Sequence, residues 1–595
     1  MVGFRQATRA DGYAPIRDYA VIGDQRTLAL VARDGSIDWL PLPTLASPPA
    51  LGGLLDARRG GRFLLQPEER FDVERRYVPE TNVLETTFRS ATGVARVTDA
   101  VTTQTRGTLP WFELVRRVEG LSGELSLRWE LDVRFPIGGR ERTNIELLTF
   151  GIEDGESPFV VREGTRALLA LVAVEDEPLP RPTRDEIERR LDETTDAWRT
   201  WIRDHDYEGP WDEAVTRSAL VLKLLTYEPE GGIAAAATTS LPERLGGDQN
   251  WDYRFCWVRD AAYTLDALLA LGRREDAHAS LSWLLERIAT TAPDIKPLYP
   301  LAGGPPVEER TVPLEGYRGS QPVRVGNAAA RQTQLGVYGD LLDTAWRYVD
   351  EGNSLDETTR SLLVSVLGRL ASVWREPDCG FWEIRGGARH YTHSKLSAQI
   401  AFDRALRLAR AGQLPNDDAP RWVRANDEIQ SFVESRCWSE QLRAYRFYAD
   451  DDKLDTTTLL AYRREVPQRA TERLEATIAT IRRDLGAGGP LLYRHSDAVE
   501  QEGAFVASSF WLADALARAD RVDEAAEVMD GTVALANDVG LYSEEIDPAS
   551  GDFLGNFPQG LSHLALAQAA VAVAEASSSP RSSAPGRASA RQRRR

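Results

Sequence analysis

Four long, aromatic-rich stretches of this 595-residue chain carry residues of the types that acid–base chemistry uses. In CGFWEIRGG, residues 379–387, Glu383 directly follows Trp382. A neighbouring indole lowers local polarity and disfavours ionisation, which suits a proton donor. Taken alone, the segment reads more simply as a loop with a solvated glutamate. In GLYSEEIDPASGDF, Glu544 and Glu545 are adjacent, ahead of a final helix. Neighbouring carboxylates repel, and a structure that tolerates them commonly uses one; a solvated acidic turn is the plain alternative. In NWDYRFCWVRD, four rings crowd ahead of Arg259-Asp260, which opens an apolar-periodic helix; Trp257 is the nearest of them. Asp260 reads either as a helix-start anion favoured by the dipole or, with Arg259, as a grip on vicinal hydroxyls. In GYRGSQPVRVGNAA, Tyr317, Arg324 and Asn327 either line a polar rim or are ordinary loop chemistry. His390 and His393 stand three apart, with no third ligand and no HExxH pattern, so no metal site is expected.

Other chemistries lack their residues. There is no P-loop, no GxSxG elbow and no glycine-rich dinucleotide fingerprint. A net charge of −19 argues against nucleic-acid partners, because phosphate backbones need a basic surface. No run of 18 apolar residues suggests a membrane span. The start lacks an apolar signal core, and three distant cysteines suggest neither a disulfide framework nor a zinc site; a cytoplasmic location is expected. What remains is carboxylates beside aromatic rings, the pairing that glycoside hydrolysis uses, with two carboxyl groups flanking the bond. The partner expected is a small-molecule sugar, and a homo-oligomer is compatible with the sequence.

These residues need a frame. Residues 1–182 read as short alternating strands broken at glycines, such as RTLALVARDGSIDWLPLP around Asp34-Gly35, and imply an antiparallel β-sandwich. Residues 183–208 read as a linker helix, with Ile187, Leu191, Ala197 and Trp201 roughly on one side. Residues 209–576 alternate helix and loop, with helices starting near 211, 259, 275, 326, 356, 394, 417, 454, 467, 503, 521 and 557. Twelve helices imply six hairpins closed into a toroid, burying their apolar faces on neighbours. Its long loops, 228–258, 289–325, 377–393 and 539–556, would share one face and hold the site. Residues 577–595 are rich in Ser and Arg and read as a disordered basic tail.

The motifs TTSLPE, NWDYRFCWVRDAAYTLDALL, GYRGSQPVRVGNAA, FWEIRGGARHYTHSK and SEEIDPASGDFLGNFPQGLSHL, in this order, resemble glycoside hydrolase family 15. This is the glucoamylase and glucodextranase family, and the chain is most similar to its trehalase-like branch. The resemblance covers nearly the whole chain. It implies a β-sandwich followed by an (α/α)6 toroid, and an inverting, exo-acting hydrolase releasing β-glucose from an α-glucoside. Trehalose is the expected substrate; malto- or isomalto-oligosaccharides are the alternative. The resemblance puts the general acid on Glu383 and the general base on Glu544. Trp257, Arg259, Asp260, Tyr317, Arg324, Trp382 and Glu545 would be substrate-binding neighbours. For inversion the two carboxyls should stand roughly 6.5–9.5 Å apart. Glu383 should be kept protonated by the wall of Trp382, and Glu544 kept ionised by hydrogen-bond donors. Some relatives depend on phosphate and Mg²⁺; no motif here marks such a site, so no cofactor is expected. A non-catalytic sugar-binding relative would lack one carboxylate, and both are present. The stretch LPLPTLASPPALGGLL departs from the family pattern and leaves the contribution of the β-region to the pocket open.

Overall fold

The structure is a computed structural model of the chain and describes residues 7–103, 109–139, 142–203, 205–305, 307–463 and 471–578. Up to Glu175 the described chain is antiparallel β: β1 (Tyr19–Gly23), β2 (Leu28–Ala32), β3 (Ser36–Pro41), β4 (Pro49–Leu51), β5 (Arg62–Pro67), β6 (Asp72–Tyr77), β7 (Leu84–Arg89), β8 (Gly93–Val101), β9 (Phe112–Asp132), β10 (Thr143–Phe150), β11 (Phe159–Arg162) and β12 (Arg166–Glu175). The main path runs β1-β2-β3-β5-β9-β8-β7-β6. Strand β9 joins two layers. Its C-terminal half pairs with β5 and β11, its N-terminal half with β8 and β12. The handover falls at Gly120 and Gly123: a Cβ on Gly120 would lie 2.0 Å from the Arg162 carbonyl, and Gly123 has φ +65°. Strands β1, β2 and β3 are buried on both faces. That explains why LALVA does not alternate: one face meets the sandwich core, the other the helical region.

Helix α1 (Arg184–Ile202) opens with a capping box, Thr183 and Glu186 exchanging side-chain and backbone bonds. Arg190 ties it to the sandwich through two bonds to Glu113, 2.9 and 2.6 Å. The helical region then comprises α2 (Asp212–Leu225), α3 (Val258–Ala270), α4 (Arg274–Ala289), α5 (Gly336–Asp350), α6 (Glu357–Val373), α7 (Thr392–Arg410), α8 (Ala419–Phe432), α9 (Leu460–Arg463), α10 (Thr471–Asp484), α11 (Val506–Arg518), α12 (Val522–Val533) and α13 (Gly560–Ser578). Odd-numbered helices form the inner ring. Packing runs α3 to α5 to α7, on to the 3-10 turn Thr456–Leu459 that opens α9, then α11, α13 and back to α3. Most residues of α7 and α13 and nearly all of α11 are buried, whereas α8 buries little more than Trp422, Ala425 and Ile429. This is the (α/α)6 toroid the helix count implies.

One start is displaced. The helix expected near 326 begins at Gly336, because Asn327 caps a separate 3-10 turn, Ala328–Arg331. Of the Ser/Arg-rich tail, Ser577 and Ser578 end α13, and 579–595 lie outside the described residues. No helix among the described residues is long and apolar enough to cross a membrane.

Candidate active site

A cavity of about 310 Å³ opens at the end of the toroid where the long loops gather. Glu383, Glu544, Trp257, Arg259, Asp260 and Trp382 all line it. The sequence separates the two glutamates by 161 residues; the closed ring brings them to one pocket.

On one wall, Glu383 sits at φ +60°, a conformation that costs a non-glycine residue on the order of 1–3 kcal/mol and must be held by its surroundings. Three bonds hold it. The Gln332 side-chain amide donates to the Glu383 carbonyl at 2.9 Å, Arg259 donates to the preceding Phe381 carbonyl at 2.5 Å, and the Ile384 N–H donates to Cys379 at 3.1 Å. The carboxyl accepts a short bond from the Trp257 indole N–H, and Arg259 approaches it to 4.0 Å. Burial pushes this carboxyl above its ordinary value, while Arg259 and the Trp257 N–H pull it partway back. The expected wall is thus displaced. The ring bonded to Glu383 is Trp257, and Trp382 donates its N–H to Asp455 at 2.8 Å and packs on Phe381 and Phe505. Asp260 stands in the first turn of α3, 3.0 Å from the Arg259 Nε. Arg259 also lies 4.1 Å over the Phe381 ring, so the pair is oriented by the acid loop itself.

On the other wall, Glu544 precedes a two-strand ladder of Glu545–Ile546 with Phe553–Leu554. Its backbone donates to Asn556, its carboxylate accepts from the Asn556 N–H at 3.4 Å, and the Tyr253 hydroxyl donates to it. Only 2% of Glu544 is exposed. Burial pushes its carboxyl up to about 7, against the pull of Arg494, Tyr253 and Asn556. Donors do surround it as expected, yet they do not bring it back to an ordinary glutamate, because burial outweighs them and the like charge of Glu502 adds to it. Glu545 is fully buried and does not line the cavity. Its carboxyl accepts from the Gly503 N–H at 2.9 Å and serves the loop, a correction to its expected substrate contact.

Arg494 answers this acidic group. It donates to Glu243 at 2.7 Å and to both oxygens of Glu502. Oxygens of Glu243, Glu502 and Glu545 come within 4.8 Å of one another, the spacing a cation would use. The residues do not fit a divalent ion, because the Arg494 guanidinium already engages two of the three carboxylates and would repel it.

Two further expected residues fall elsewhere. Tyr317 is 2% exposed; its hydroxyl donates to Ala14 of the β-region at 3.0 Å and its ring meets Tyr13 edge-on. It belongs to the junction between the two regions, not to the pocket. Arg324 is not on the cavity wall but lies 4.3 Å over Trp251, which is. Asn327 does line the cavity, and His393 packs edge-on against Phe381 inside the ring. Sequence reading missed the loop 485–505 altogether, which supplies Arg494, His495 and Glu502; it carries no aromatic–carboxylate cluster to mark it. Tyr253 and Glu243 lay in quoted motifs, but no signal in one sequence separates them from their neighbours.

A helical toroid with two carboxyls across a polar, ring-lined pocket is the architecture of a glycoside hydrolase. Residues 209–571 match the model of Glycosyl hydrolases family 15, and the chain belongs to that family. Residues 5–125 match the domain described as Trehalase-like, N-terminal. The chain is 34% identical to a trehalase of Thermoplasma volcanium, across 95% of this chain and 94% of that one. It is 33% identical to a trehalase of Mycolicibacterium smegmatis, across 96% of this chain and 92% of that one. Among solved structures it is similar to a bacterial glucoamylase complexed with acarbose, with a TM-score of 0.66 at 13% identity over 96% of both chains.

Proposed function

We propose that the protein hydrolyses α,α-trehalose to two glucose molecules, with inversion at the attacked carbon. The observation that carries this reading is the meeting of Glu383 and Glu544 in one cavity, next to the Arg259–Asp260 pair. Likeness to trehalases across more than nine-tenths of the chain favours trehalose over malto- and isomalto-oligosaccharides.

Arg259 and Asp260, at the buried end of the cavity, grip hydroxyls of the ring to be cleaved through charge-assisted bonds. Glu383, its carboxyl raised by burial, gives its proton to the glycosidic oxygen. Glu544 takes a proton from a water on the other face of the ring, and that oxygen bonds to the anomeric carbon as the glycosidic bond breaks. Both groups regain their resting protonation from solvent through the open mouth. No cofactor enters any step. Each acid–base group is worth about 10²–10⁴-fold. Glu383→Gln should therefore lose at least about 100-fold in kcat on trehalose while keeping its thermal unfolding profile. Glucose release within a few-fold of wild type would remove Glu383 from the mechanism. Inversion at the attacked carbon gives one β-glucose, while the leaving glucose keeps its C1–O bond and is released as α. Early NMR spectra that show α-glucose alone would remove inversion.

A further inference from the structure

The mouth of the cavity carries a set of linked side chains that the hydrolytic chemistry does not use. Trp251 lines the cavity, and two guanidinium groups lie against its ring, Arg385 at 3.9 Å and Arg324 at 4.3 Å from the centroid. One carboxylate ties both. Glu309 accepts two bonds from Arg385, 2.9 and 2.6 Å, and stands 3.7 Å from the Arg324 Nε. Glu309 is itself anchored, accepting from the Ala328 N–H at 3.0 Å. Arg324 donates on to the carbonyls of Asp248 and Asn250, at 2.7 and 3.0 Å. Three loops are thereby fastened together across the opening. A two-pronged arginine–carboxylate pair fixes geometry as well as energy, and guanidinium groups on an indole add to it.

Burial locates this wall. Trp257, Asp260, Phe381 and Glu544 are buried, Trp251 is half-buried, and Arg385 is exposed. The wall therefore stands at the solvent end, past the carboxyls. The cavity behind it, about 310 Å³, is at the small end of the range for small-molecule sites. A disaccharide cut between its rings needs room for one ring on each side of the carboxyls and none beyond. Any longer α-glucan must send a third ring out through the mouth.

We propose that the Glu309–Arg385–Trp251 wall sets substrate length, closing the site after the second sugar ring so that disaccharides enter and longer α-glucans do not. This rests on the α-glucoside reading above. The wall acts by exclusion, so loosening it should widen the range of substrates without removing the chemistry.

The test compares wild type with Glu309→Ala and Arg385→Ala for glucose release from trehalose and from maltotriose. In wild type the kcat/KM for maltotriose should be far below that for trehalose. Both variants should raise the maltotriose-to-trehalose ratio by about tenfold or more, the scale on which a removed steric contact is felt. Arg385→Lys, which keeps the charge but loses the two-pronged bond, should fall between. Arg385 is exposed, so its truncation leaves the core untouched, and circular dichroism with thermal unfolding confirms the fold. Ratios unchanged in folded variants overturn the proposal, as does a wild type that cleaves maltotriose as readily as trehalose. A wild type that releases glucose from maltose but none from trehalose defeats the substrate assignment above and leaves the wall to be judged on maltotriose against maltose.

Discussion

Glu383 and Glu544 face the same difficulty with opposite needs. Both are raised by burial, yet one must hold a proton and the other must lose it. Glu544 therefore sets the acid side of the pH profile. With its carboxyl near 7, the base form is depleted as pH falls, and over the range in which Glu383 is protonated kcat/KM should drop about tenfold per unit below about pH 7. The alkaline side is where Glu383 gives up its proton. The Tyr253 hydroxyl stabilises the ionised Glu544, and a hydrogen bond to a charged group is worth about 1.5–3 kcal/mol, or about 1–2 pH units. Tyr253→Phe should move the acid limb to higher pH by that order and leave the alkaline limb in place. An acid limb that stays put would show that Tyr253 does not hold the base. The two glutamates were legible as candidates in WEIRGG and SEEID, but their partners were not. Trp257 N–H on Glu383 and Tyr253 on Glu544 are contacts made by folding, between residues 126 and 291 apart. One sequence carries no trace of such pairs.

At the level of elements, the legible part was periodic and the illegible part was not. Inner and outer helices announce themselves by apolar spacing, and most starts fall within a few residues of expectation. Position 326 misled because Asn327 caps a short turn as well as it would cap a helix. The long-loop rule found three of the contributing loops and missed 485–505, whose residues look unremarkable until Arg494 is seen between Glu243 and Glu502. The base loop shows how tightly such an element is cut. Gly555 has φ +70°, and a Cβ there would lie 2.4 Å from a Glu544 carboxylate oxygen. Gly555→Ala must displace that oxygen or the strand behind it. A misplacement of about 1 Å costs on the order of 100-fold in rate. The variant should lose kcat on that scale while its KM changes little, since the Arg259–Asp260 grip is on the other wall. Wild-type kcat would mean that Glu544 has room to move and is not held by its loop.

Across the whole molecule, the β-region adds no residue to the cavity wall among the described residues, yet it grips the loops that do. Trp39 donates to the Ala237 carbonyl at 3.0 Å, Arg17 to Gly551 at 2.6 Å, and Asn537 to Tyr19 at 2.8 Å. The strongest tie is Arg75 of β6, fully buried, which donates to both oxygens of Asp538 at 3.1 and 2.6 Å; Arg33 joins at 3.2 Å. Asp538 lies six residues before Glu544, so this junction anchors the segment that carries the base. Breaking one side of a buried pair leaves the other charge stranded and costs about 3–5 kcal/mol. Asp538→Asn should lose stability of that order in denaturant unfolding at pH 7, and lower kcat as the base segment loosens. The pH dependence separates this cause from a general packing defect. Burial would raise the Asp538 carboxyl, but Arg75 and Arg33 outweigh it and hold it below its ordinary value. A carboxyl depressed in the folded state stabilises above its unfolded value, about 3.9, and that stabilisation is lost as pH falls through the folded value. The gap between wild type and Asp538→Asn should therefore be constant from pH 7 to about 5 and narrow below about 4. A gap that stays the same at pH 3.5 would mean the junction is held by shape rather than by this charge.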